Sequence, residues 1–340
     1  MKAIVIGAGS IARRHIGNLY ELGVEEIRVH TRSEGRLTLA ISQFPDLIPC
    51  MDRAEIERIP RDITLVCTPP TAHLEYAIDA ARAGSHLFLE KPVAASMDGV
   101  PEMIRDVEAS GIRNVIGYNY RYWASLRRVK EIVDRGGIGE IHTFRVVIGQ
   151  YLPDWHPWEN YKDWFMSRKE EGGGILLDLT HAIDYIHWMF GPYESVSSFN
   201  GNAGNFDMTA DDFAALTVFL SSGQVGTFHL DCLSRKGENT LTLIGSDRHL
   251  RWDGLTDTIE TFDPESGTTM TETRPAERNE MFIAEMKDFL RYVEEGGESP
   301  NSIREGAHAL AVADAVRASS ANDCVRTKVD AIQEGRSEEK

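Results

Sequence analysis

The sequence is short of cysteine, of basic charge and of long apolar runs, and each shortage excludes a class of protein. Its 340 residues include four cysteines, none of them in a Cys-x-x-Cys pair. Scattered cysteines of this kind fit reduced thiols in a cytoplasm better than a disulfide framework or a zinc site. No uncharged apolar run approaches the roughly 20 residues that cross a bilayer. Met1 leads directly into a strand pattern, so we expect no signal peptide and no membrane anchor.

Acidic residues outnumber basic ones by 53 to 36, which gives a formal net charge of −17. Nucleic acids and anionic membranes bind through basic patches, so we expect neither as a partner. With 42% hydrophobic residues, the chain is long enough for two cores rather than one. No internal repeat or low-complexity linker divides it.

The chain opens with an apolar strand pattern (residues 3–6) that runs into Gly-x-Gly-x-x-Ala and a helical pattern. The first glycine permits a tight turn, the second leaves room for a pyrophosphate, and the alanine lets helix and strand pack closely. The free N–H groups of the helix start favour phosphate. We expect a dinucleotide here, at Gly7, Gly9, Ser10, Ile11 and Ala12. A tight turn without a ligand is the alternative interpretation.

Strands and helices alternate over the first third of the chain, a pattern typical of a parallel, doubly wound sheet. The predicted strands are 3–6, 27–30, 63–67, 86–89 and 115–118. The predicted helices are 11–22, 73–83 and 97–110, the last two stopped by Gly84 and Gly111.

Strands dominate after a helix at 125–135, and their short connections predict a mainly antiparallel sheet. They are 141–150, 213–220, 224–232, 240–245, 249–253 and 258–262. Helices over 281–294 and 303–319 close the chain, and Ser302 with Glu305 predicts a capping box for the second. Because helices cover such a sheet only in part, we expect a partner subunit on its open face.

The second strand ends just before Arg32 and Ser33, where NAD-dependent proteins commonly place an acidic residue for the ribose hydroxyls. A guanidinium supplies the donors and the charge that a 2′-phosphate needs, and Arg36 lies nearby. We therefore expect NADP to be preferred, with NAD as the other possibility. An exposed loop arginine is the alternative interpretation.

Two further segments follow strand ends, at the sheet edge where open α/β folds bind ligands. Thr68, Pro69 and His73 follow the third predicted strand, where the prolines make a rigid floor under the cofactor. Glu90-Lys91-Pro92 follows the fourth. A lysine there can donate to a substrate oxygen and favour a developing alkoxide. A plain connection and a surface lysine are the alternatives.

A triple glycine, residues 172–174, precedes a predicted helix that carries Asp178, His181 and Asp184 at intervals of three. The glycines allow close approach to a ligand, and the spacing puts the three side chains on one face. Histidine is suited to take a hydroxyl proton near neutrality. A capped or core-satisfied pair is the alternative for Asp178 and His181, and zinc ligation is disfavoured because no further ligand cluster is near. His187 is expected to pack against the neighbours of its helix.

These motifs together resemble those of the Gfo/Idh/MocA oxidoreductase family. They are the glycine turn, Thr68-Pro69 with His73, Glu90-Lys91-Pro92, Gly117-Tyr118-Asn119-Tyr120-Arg121, and the triple glycine with Asp178 and His181. The resemblance implies an α/β Rossmann domain plus an α+β domain with an open, mainly antiparallel sheet, assembled as dimers or tetramers. It implies that Lys91, Asp178 and His181 are catalytic. Many members place the histidine four residues after the aspartate, whereas Asp178 and His181 are three apart. His181 stands three residues before Asp184, as in the family pattern, so it matches the pattern better than Asp178 does.

The segment 150–161 is rich in aromatic residues and looks like a branch of the family linked to bacterial surface-polysaccharide sugars. Aromatic rings stack on sugar faces, and polar neighbours can bond hydroxyls. The expected substrate contacts are Arg121, Trp155, His156, Trp158 and Lys162. An aromatic loop that packs on the first domain or on a neighbouring subunit is the alternative.

Taken together, the patterns predict an NAD(P)-dependent dehydrogenase or reductase for a sugar, cyclitol or nucleotide sugar. A non-catalytic dinucleotide sensor of the same fold is the alternative. We expect a nucleotide-binding domain at 1–120, a substrate and oligomerisation domain at 121–328, and a polar tail at 329–340. The residues expected at the cofactor are Gly7, Gly9, Ser10, Ile11, Ala12, Arg32, Ser33, Thr68, Pro69, His73, Glu90, Lys91 and Asn119.

Overall fold

The computed structural model describes residues 1–155, 157 and 160–332, with Glu57 described by its backbone alone. Two compact units make up the chain. The first unit contains Met1–Tyr118 and Phe282–Ala307, and the second contains Asn119–Met281 and His308–Ala331.

The first unit is built on a parallel sheet of six strands in the order β3-β2-β1-β4-β5-β6. The strands are β1 (Lys2–Ile6), β2 (Glu26–His30), β3 (Ile48–Cys50), β4 (Ile63–Val66), β5 (His86–Glu90) and β6 (Asn114–Gly117). The helices between them are α1 (Ser10–Glu21), α2 (Glu34–Gln43), α3 (Arg53–Arg58), α4 (His73–Arg82) and α5 (Val100–Ala109). The predicted doubly wound parallel sheet is confirmed.

The second unit is built on a sheet of nine strands in the order β14-β13-β12-β11-β7-β10-β9-β8-β15. The strands are β7 (Ile141–Gly149), β8 (Tyr193–Gly201), β9 (Phe213–Leu220), β10 (Val225–Asp231), β11 (Glu238–Gly245), β12 (His249–Asp253), β13 (Thr258–Asp263), β14 (Thr268–Thr273) and β15 (Thr327–Lys328). The helices are α6 (Ala124–Asp134), α7 (Ile175–Asp178) and α8 (Thr180–Phe190). All pairs are antiparallel except β7 with β10, so the predicted, mainly antiparallel open sheet is confirmed.

Two long helices close the chain, α9 (Glu280–Glu295) and α10 (Ile303–Ala321). Most of α9 returns to the first unit, where Met286 and Phe289 are fully buried in the core. The Phe289 ring packs edge-on against Phe88 of β5, with centroids 5.5 Å apart. The first unit is therefore discontinuous along the chain, unlike the expected division into 1–120 and 121–328. A contact between residues so far apart in sequence leaves no local signal.

The capping interaction at the start of α10 is as predicted on its serine side. The Ser302 hydroxyl accepts the Glu305 N–H at 3.1 Å, which satisfies one of the free donors of the first turn. Helix α5 begins later than predicted, because Gly99 at its N-cap adopts φ +76° and residues 97–99 form a turn. Elements absent from the prediction include α2, α3, β3, β8 and β14. Strand β14 is almost wholly exposed and polar, so it carries no alternating apolar signal.

One face of the second sheet is buried and the other is partly open. Along β9 the residues alternate between half-buried and buried positions, which puts Ala214, Leu216 and Val218 in the core. On β8, Phe199 is 46% exposed. No helix in the described ranges is long and apolar enough to cross a membrane. Residues 333–340 of the expected polar tail lie outside the described residues.

Candidate active site

The glycine turn joins β1 to α1 in a shape that only small residues permit. Gly7 has φ +110°, and a Cβ there would lie 2.4 Å from the main-chain oxygen of Cys67. A Cβ on Gly9 would meet nothing within 4 Å. Gly9 is the N-cap of α1, with no side-chain cap and no acidic residue in the first turn. The free N–H groups of a twelve-residue helix therefore face open space, which fits the pyrophosphate of a dinucleotide.

The loop after β2 carries the residues expected to choose between NAD and NADP. Arg32 and Ser33 are exposed, and Ser33 caps α2 by accepting the Arg36 N–H at 3.4 Å. In the described part of the chain, no hydrogen bond or ion pair engages the Arg32 side chain. The guanidinium is therefore available to an anion.

The Glu90-Lys91-Pro92 segment is held from within the first unit. Glu90 ends β5 and is 8% exposed. One of its carboxylate oxygens lies 2.6 Å from Nε2 of His15 on α1, and the other accepts the Lys91 N–H at 3.2 Å. The Lys91–Pro92 peptide bond is cis, and Lys91 is half-buried. The sequence analysis gave His15 no role, although it lies on the helix that follows the glycine turn.

His73 lies at the start of α4 with its side chain fully buried. Its Nδ1 is 2.8 Å from the Pro92 carbonyl oxygen, and its Nε2 is 2.9 Å from that of Thr68. Burial lowers the pKa of the imidazole, while hydrogen bonds to the Thr68 and Pro92 carbonyls and the charge of Glu90 oppose that shift. Both ring nitrogens lie within hydrogen-bond distance of main-chain carbonyl oxygens, and the neutral ring donates to one of them. The sequence analysis expected His73 to contact the cofactor. In the structure it connects the segments after β4 and β5 instead.

In the second unit, the triple glycine serves internal packing. A Cβ on Gly173 would lie 2.2 Å from the Phe165 main-chain oxygen. Gly174 has φ +116°, and a Cβ there would lie 2.2 Å from an Asp211 carboxylate oxygen. Asp211 in turn accepts the Leu176 N–H at 2.9 Å and so caps α7. For Gly173 and Gly174, the expectation that they let the backbone approach a ligand is therefore corrected, because protein atoms fill that space.

The predicted single helix carrying Asp178 and His181 is two short helices. Helix α7 ends at Asp178, and α8 begins at Thr180 after a break at Leu179. Asp178 therefore lies on a different helix from His181 and Asp184, which are three residues apart on α8. The inference that all three lie on one helix is corrected for Asp178. Asp178 is half-buried, and its charge contributes to raising the pKa values of Tyr120 and Cys232.

His181 stacks on Tyr120, with ring centroids 4.3 Å apart and planes 10° apart. Burial raises the pKa of the Tyr120 phenol to about 12, with Asp178 adding to the shift and Arg278 and Asn239 opposing it. Tyr120 also packs edge-on against Trp123 at 4.9 Å. The phenol therefore stays neutral near pH 7 and orients the histidine ring. The sequence analysis quoted Tyr120 within a motif and gave it no role.

Arg121 and Asp184, which the sequence analysis assigned to the substrate and to a face shared with His181, bond to each other. Nε and Nη2 of Arg121 donate to the two carboxylate oxygens at 2.9 and 2.8 Å. Their side chains are 5% and 1% exposed. A buried bidentate pair of this kind occupies the guanidinium, so Arg121 is corrected from a substrate contact to a structural residue.

The other expected substrate contacts have mixed outcomes. The Trp155 indole donates to the Gln150 carbonyl at 3.0 Å and packs edge-on against Trp164 at 5.7 Å. Lys162 pairs with Asp207 at 2.7 Å and is 47% exposed. His156 and Trp158 lie outside the described residues.

Two further predicted side chains, Asn119 and His187, lie in the second unit. Asn119 is buried, at the first residue of a short 3-10 helix. His187 stacks on His308 of α10 at 4.8 Å, a packing contact with a neighbour of its helix. Among the described residues, no group of three or more histidine, cysteine, aspartate or glutamate side chains is arranged to hold a metal ion.

A doubly wound parallel sheet with an open helix start after its first strand defines a dinucleotide-binding α/β protein. The chain belongs to the Gfo/Idh/MocA family of oxidoreductases. Residues 1–118 match the profile described as an oxidoreductase family with an NAD-binding Rossmann fold. Residues 126–251 match the Gfo/Idh/MocA C-terminal domain. The resemblance seen in the motifs is thus confirmed.

The relatives include dehydrogenases of sugars and cyclitols. A levoglucosan dehydrogenase from Pseudarthrobacter phenanthrenivorans is 33% identical over 39% of this chain, and the match spans 34% of that protein. Myo-inositol 2-dehydrogenase from Thermotoga maritima is 24% identical over 91% of this chain and 93% of that protein. The chain therefore matches about a third of one relative and nearly all of the other.

Solved structures share the fold at low sequence identity. Levoglucosan dehydrogenase in complex with NADH and L-sorbose has a TM-score of 0.87 at 20% identity, covering 98% of this chain and 99% of that one. The WlbA dehydrogenase from Bordetella pertussis, in complex with NADH and UDP-GlcNAcA, has a TM-score of 0.82 at 21% identity, covering 97% and 99%.

Acid should destabilise the wild type partly through His73. Because the folded-state pKa is lowered, the unfolded chain binds more protons, so stability falls as pH drops below the ordinary value of about 6.5. His73→Gln should make this loss shallower, but should not abolish it, because the pKa of His86 is also lowered by burial and by Arg113. Urea unfolding between pH 8 and pH 5.5 measures how steeply the free energy of unfolding falls with pH. The exposed His249→Gln is the control. Equal slopes in His73→Gln and the wild type would contradict the assignment.

Proposed function

We propose that this protein is an NAD(P)-dependent dehydrogenase or reductase that acts on a hydroxyl or keto carbon of a sugar, cyclitol or nucleotide-sugar derivative. One observation carries the proposal. The glycine turn after β1 and the Glu90-Lys91-Pro92 segment after β5 lie at the same edge of one parallel sheet. A phosphate-accepting helix start and an ordered lysine are thus built into one nucleotide-binding unit.

The proposed roles follow from the chemistry of each side chain. The Lys91 ammonium donates to the substrate oxygen and stabilises negative charge that develops there. His181 exchanges the hydroxyl proton, and its stacking on Tyr120 fixes the plane of the ring. Asp178 positions the substrate or the histidine. The nicotinamide, when bound, supplies or accepts the hydride.

The substrate contacts proposed here are Trp155 and Lys162, both of which retain exposed surface. An aromatic face suits the apolar face of a sugar ring, and an ammonium suits a hydroxyl or an acid group. The names of the relatives, levoglucosan dehydrogenase and myo-inositol 2-dehydrogenase, support polyhydroxylated rings as the first compounds to assay. The UDP-GlcNAcA in the WlbA complex supports UDP-sugars as the next compounds to assay.

Turnover should depend on Lys91. With a panel of sugars, cyclitols and nucleotide sugars, we expect the wild type to reduce NAD(P) or consume NAD(P)H. Lys91→Met should lower kcat by at least about 100-fold, the size of a lost acid or electrostatic contribution. The dissociation constant for the cofactor should change less than threefold. Lys287→Met, at an exposed lysine on α9, is the matched control. Full activity in Lys91→Met would refute the assignment, and a wild type without turnover on any compound would favour a dinucleotide sensor.

Arg32 should select NADP. Loss of a charge-assisted contact of about 1.5–3 kcal/mol should raise the NADPH dissociation constant of Arg32→Gln by about 10- to 100-fold. The NADH constant should change less than twofold, since NADH carries no 2′-phosphate. Fluorescence titration measures both, with Arg82→Gln as the exposed control. Equal wild-type affinities for NADPH and NADH would overturn the preference.

We also propose a homodimer or homotetramer that covers the open sheet face of the second unit. Phe199 is 46% exposed there and packs at 6.0 Å from the half-buried Phe213. Apolar side chains on an open face are covered most simply by a second copy. Sedimentation velocity at micromolar concentration should give a dimer or larger species, and Phe199→Asp should shift it towards monomer. A wild-type monomer at that concentration would exclude the assembly.

A further inference from the structure

His15 is the histidine of α1 and is fully buried, and among the described residues its one polar partner is the carboxylate of Glu90. The ring lies edge-on to Phe88 and Phe282, at 5.0 and 6.1 Å. Within the described residues, Nδ1 has no hydrogen-bond partner. A proton on Nδ1 would therefore be buried among apolar groups without an acceptor, which is costly. The proton that His15 carries belongs on Nε2, and it points at Glu90.

The orientation of the Glu90 carboxylate is set by His15, by the Lys91 N–H and by Gly117 of β6. Its two oxygens accept from His15 and from the Lys91 N–H, at 2.6 and 3.2 Å. A Cβ on Gly117 of the neighbouring strand β6 would lie 3.3 Å from the carboxylate. Because Gly117 has no side chain, the Glu90 carboxylate can occupy the space beside it. A single rotamer of Glu90 satisfies both donors.

The main chain on both sides of the Lys91 side chain is fixed in this way. On the amino side, the Lys91 N–H is held by Glu90, which is itself held by His15. On the carboxyl side, the Pro92 carbonyl is held by His73 at 2.8 Å. The main chain that carries the flexible Lys91 side chain is therefore held in place. Displacing a catalytic group by about 1 Å can lower the rate of the chemical step by about 100-fold.

We propose that His15 is a positioning residue for Lys91, acting through the Glu90 carboxylate. The inference rests on the proposed oxidoreductase function in assigning Lys91 to the chemistry. His15 touches neither substrate nor cofactor in this proposal. Its contribution is the direction of one N–H bond, which keeps Glu90 and hence the Lys91 main chain in place.

Comparing His15→Gln with His15→Asn tests whether the hydrogen bond to Glu90 is needed or whether a side chain that fills the space is enough. The amide nitrogen of glutamine reaches the position of Nε2, whereas that of asparagine reaches only the position of Nδ1. With NADPH or NADH saturating, His15→Asn should lower kcat at least tenfold, with KM and cofactor affinity changed less than threefold. His15→Gln should restore kcat to within about threefold of the wild type. His15→Asn should also melt at a lower temperature than His15→Gln, because it leaves the buried Glu90 carboxylate without one of its donors. The kcat values are therefore compared well below both melting temperatures.

Hydrogen exchange gives a readout that does not depend on turnover. Amides in the peptide covering residues 88–95 should exchange faster in His15→Asn than in the wild type, and at nearly the wild-type rate in His15→Gln. If the wild type turns over no substrate, the proposed function fails, and exchange alone decides this inference. Unchanged exchange in His15→Asn overturns it.

Glu90→Asp is the second variant, because it keeps the charge and shortens the arm by one methylene. If His15 acts through Glu90, the double variant His15→Asn/Glu90→Asp should lose no more kcat than the more impaired single variant. Multiplied losses would show that His15 acts by another route and would overturn the proposal. Equal kcat losses in His15→Asn and His15→Gln would also overturn it. If His15→Asn does not fold, Glu90→Asp alone must show the kcat loss and the faster exchange.

Discussion

The burial of one negative charge, on Glu90, constrains much of the first unit. A carboxylate taken out of water must find donors in the protein, and here one comes from α1 and one from the chain that follows β5. The same carboxylate fills the space left by Gly117 on β6. Helix α1 begins at the glycine turn, so one polar cluster links the predicted phosphate site to the Lys91 segment. A second histidine, His73, bonds to the carbonyls of Thr68 and Pro92 and holds the other side of that segment.

The second unit uses glycine and charge for a different purpose. Gly173 and Gly174 are small because Phe165, Met166 and Asp211 occupy the space where side chains would stand. Arg121 and Asp184 form a buried pair, and loss of either partner would leave an uncompensated charge at a cost of about 3–5 kcal/mol. Both features look like ligand-binding motifs in the sequence. In the structure both are satisfied by the protein's own atoms.

A row of packed aromatic rings leads from His181 to Trp252. His181 stacks on Tyr120, Tyr120 packs against Trp123, and Trp123 packs edge-on against the fully buried Trp252 at 5.2 Å. The Trp252 indole donates to Ser125 at 2.9 Å. The plane of the His181 ring is therefore tied to the sheet of the second unit, since Trp252 lies on β12. A ring held in this way keeps a constant plane, which helps to position a group for general acid-base chemistry.

The sequence by itself determined the alternation of strands and helices, the glycine turn at Gly7 and Gly9, and the cap at Ser302. Each depends on residues that are neighbours in the chain, so periodicity and turn chemistry suffice. It did not determine the partners of His15 and Arg121, which bond to residues 75 and 63 positions away. Nor did it separate glycines that meet a ligand from glycines that meet the protein's own backbone. Such partners are chosen by packing across strands and helices, and residue spacing along the chain carries no record of that choice.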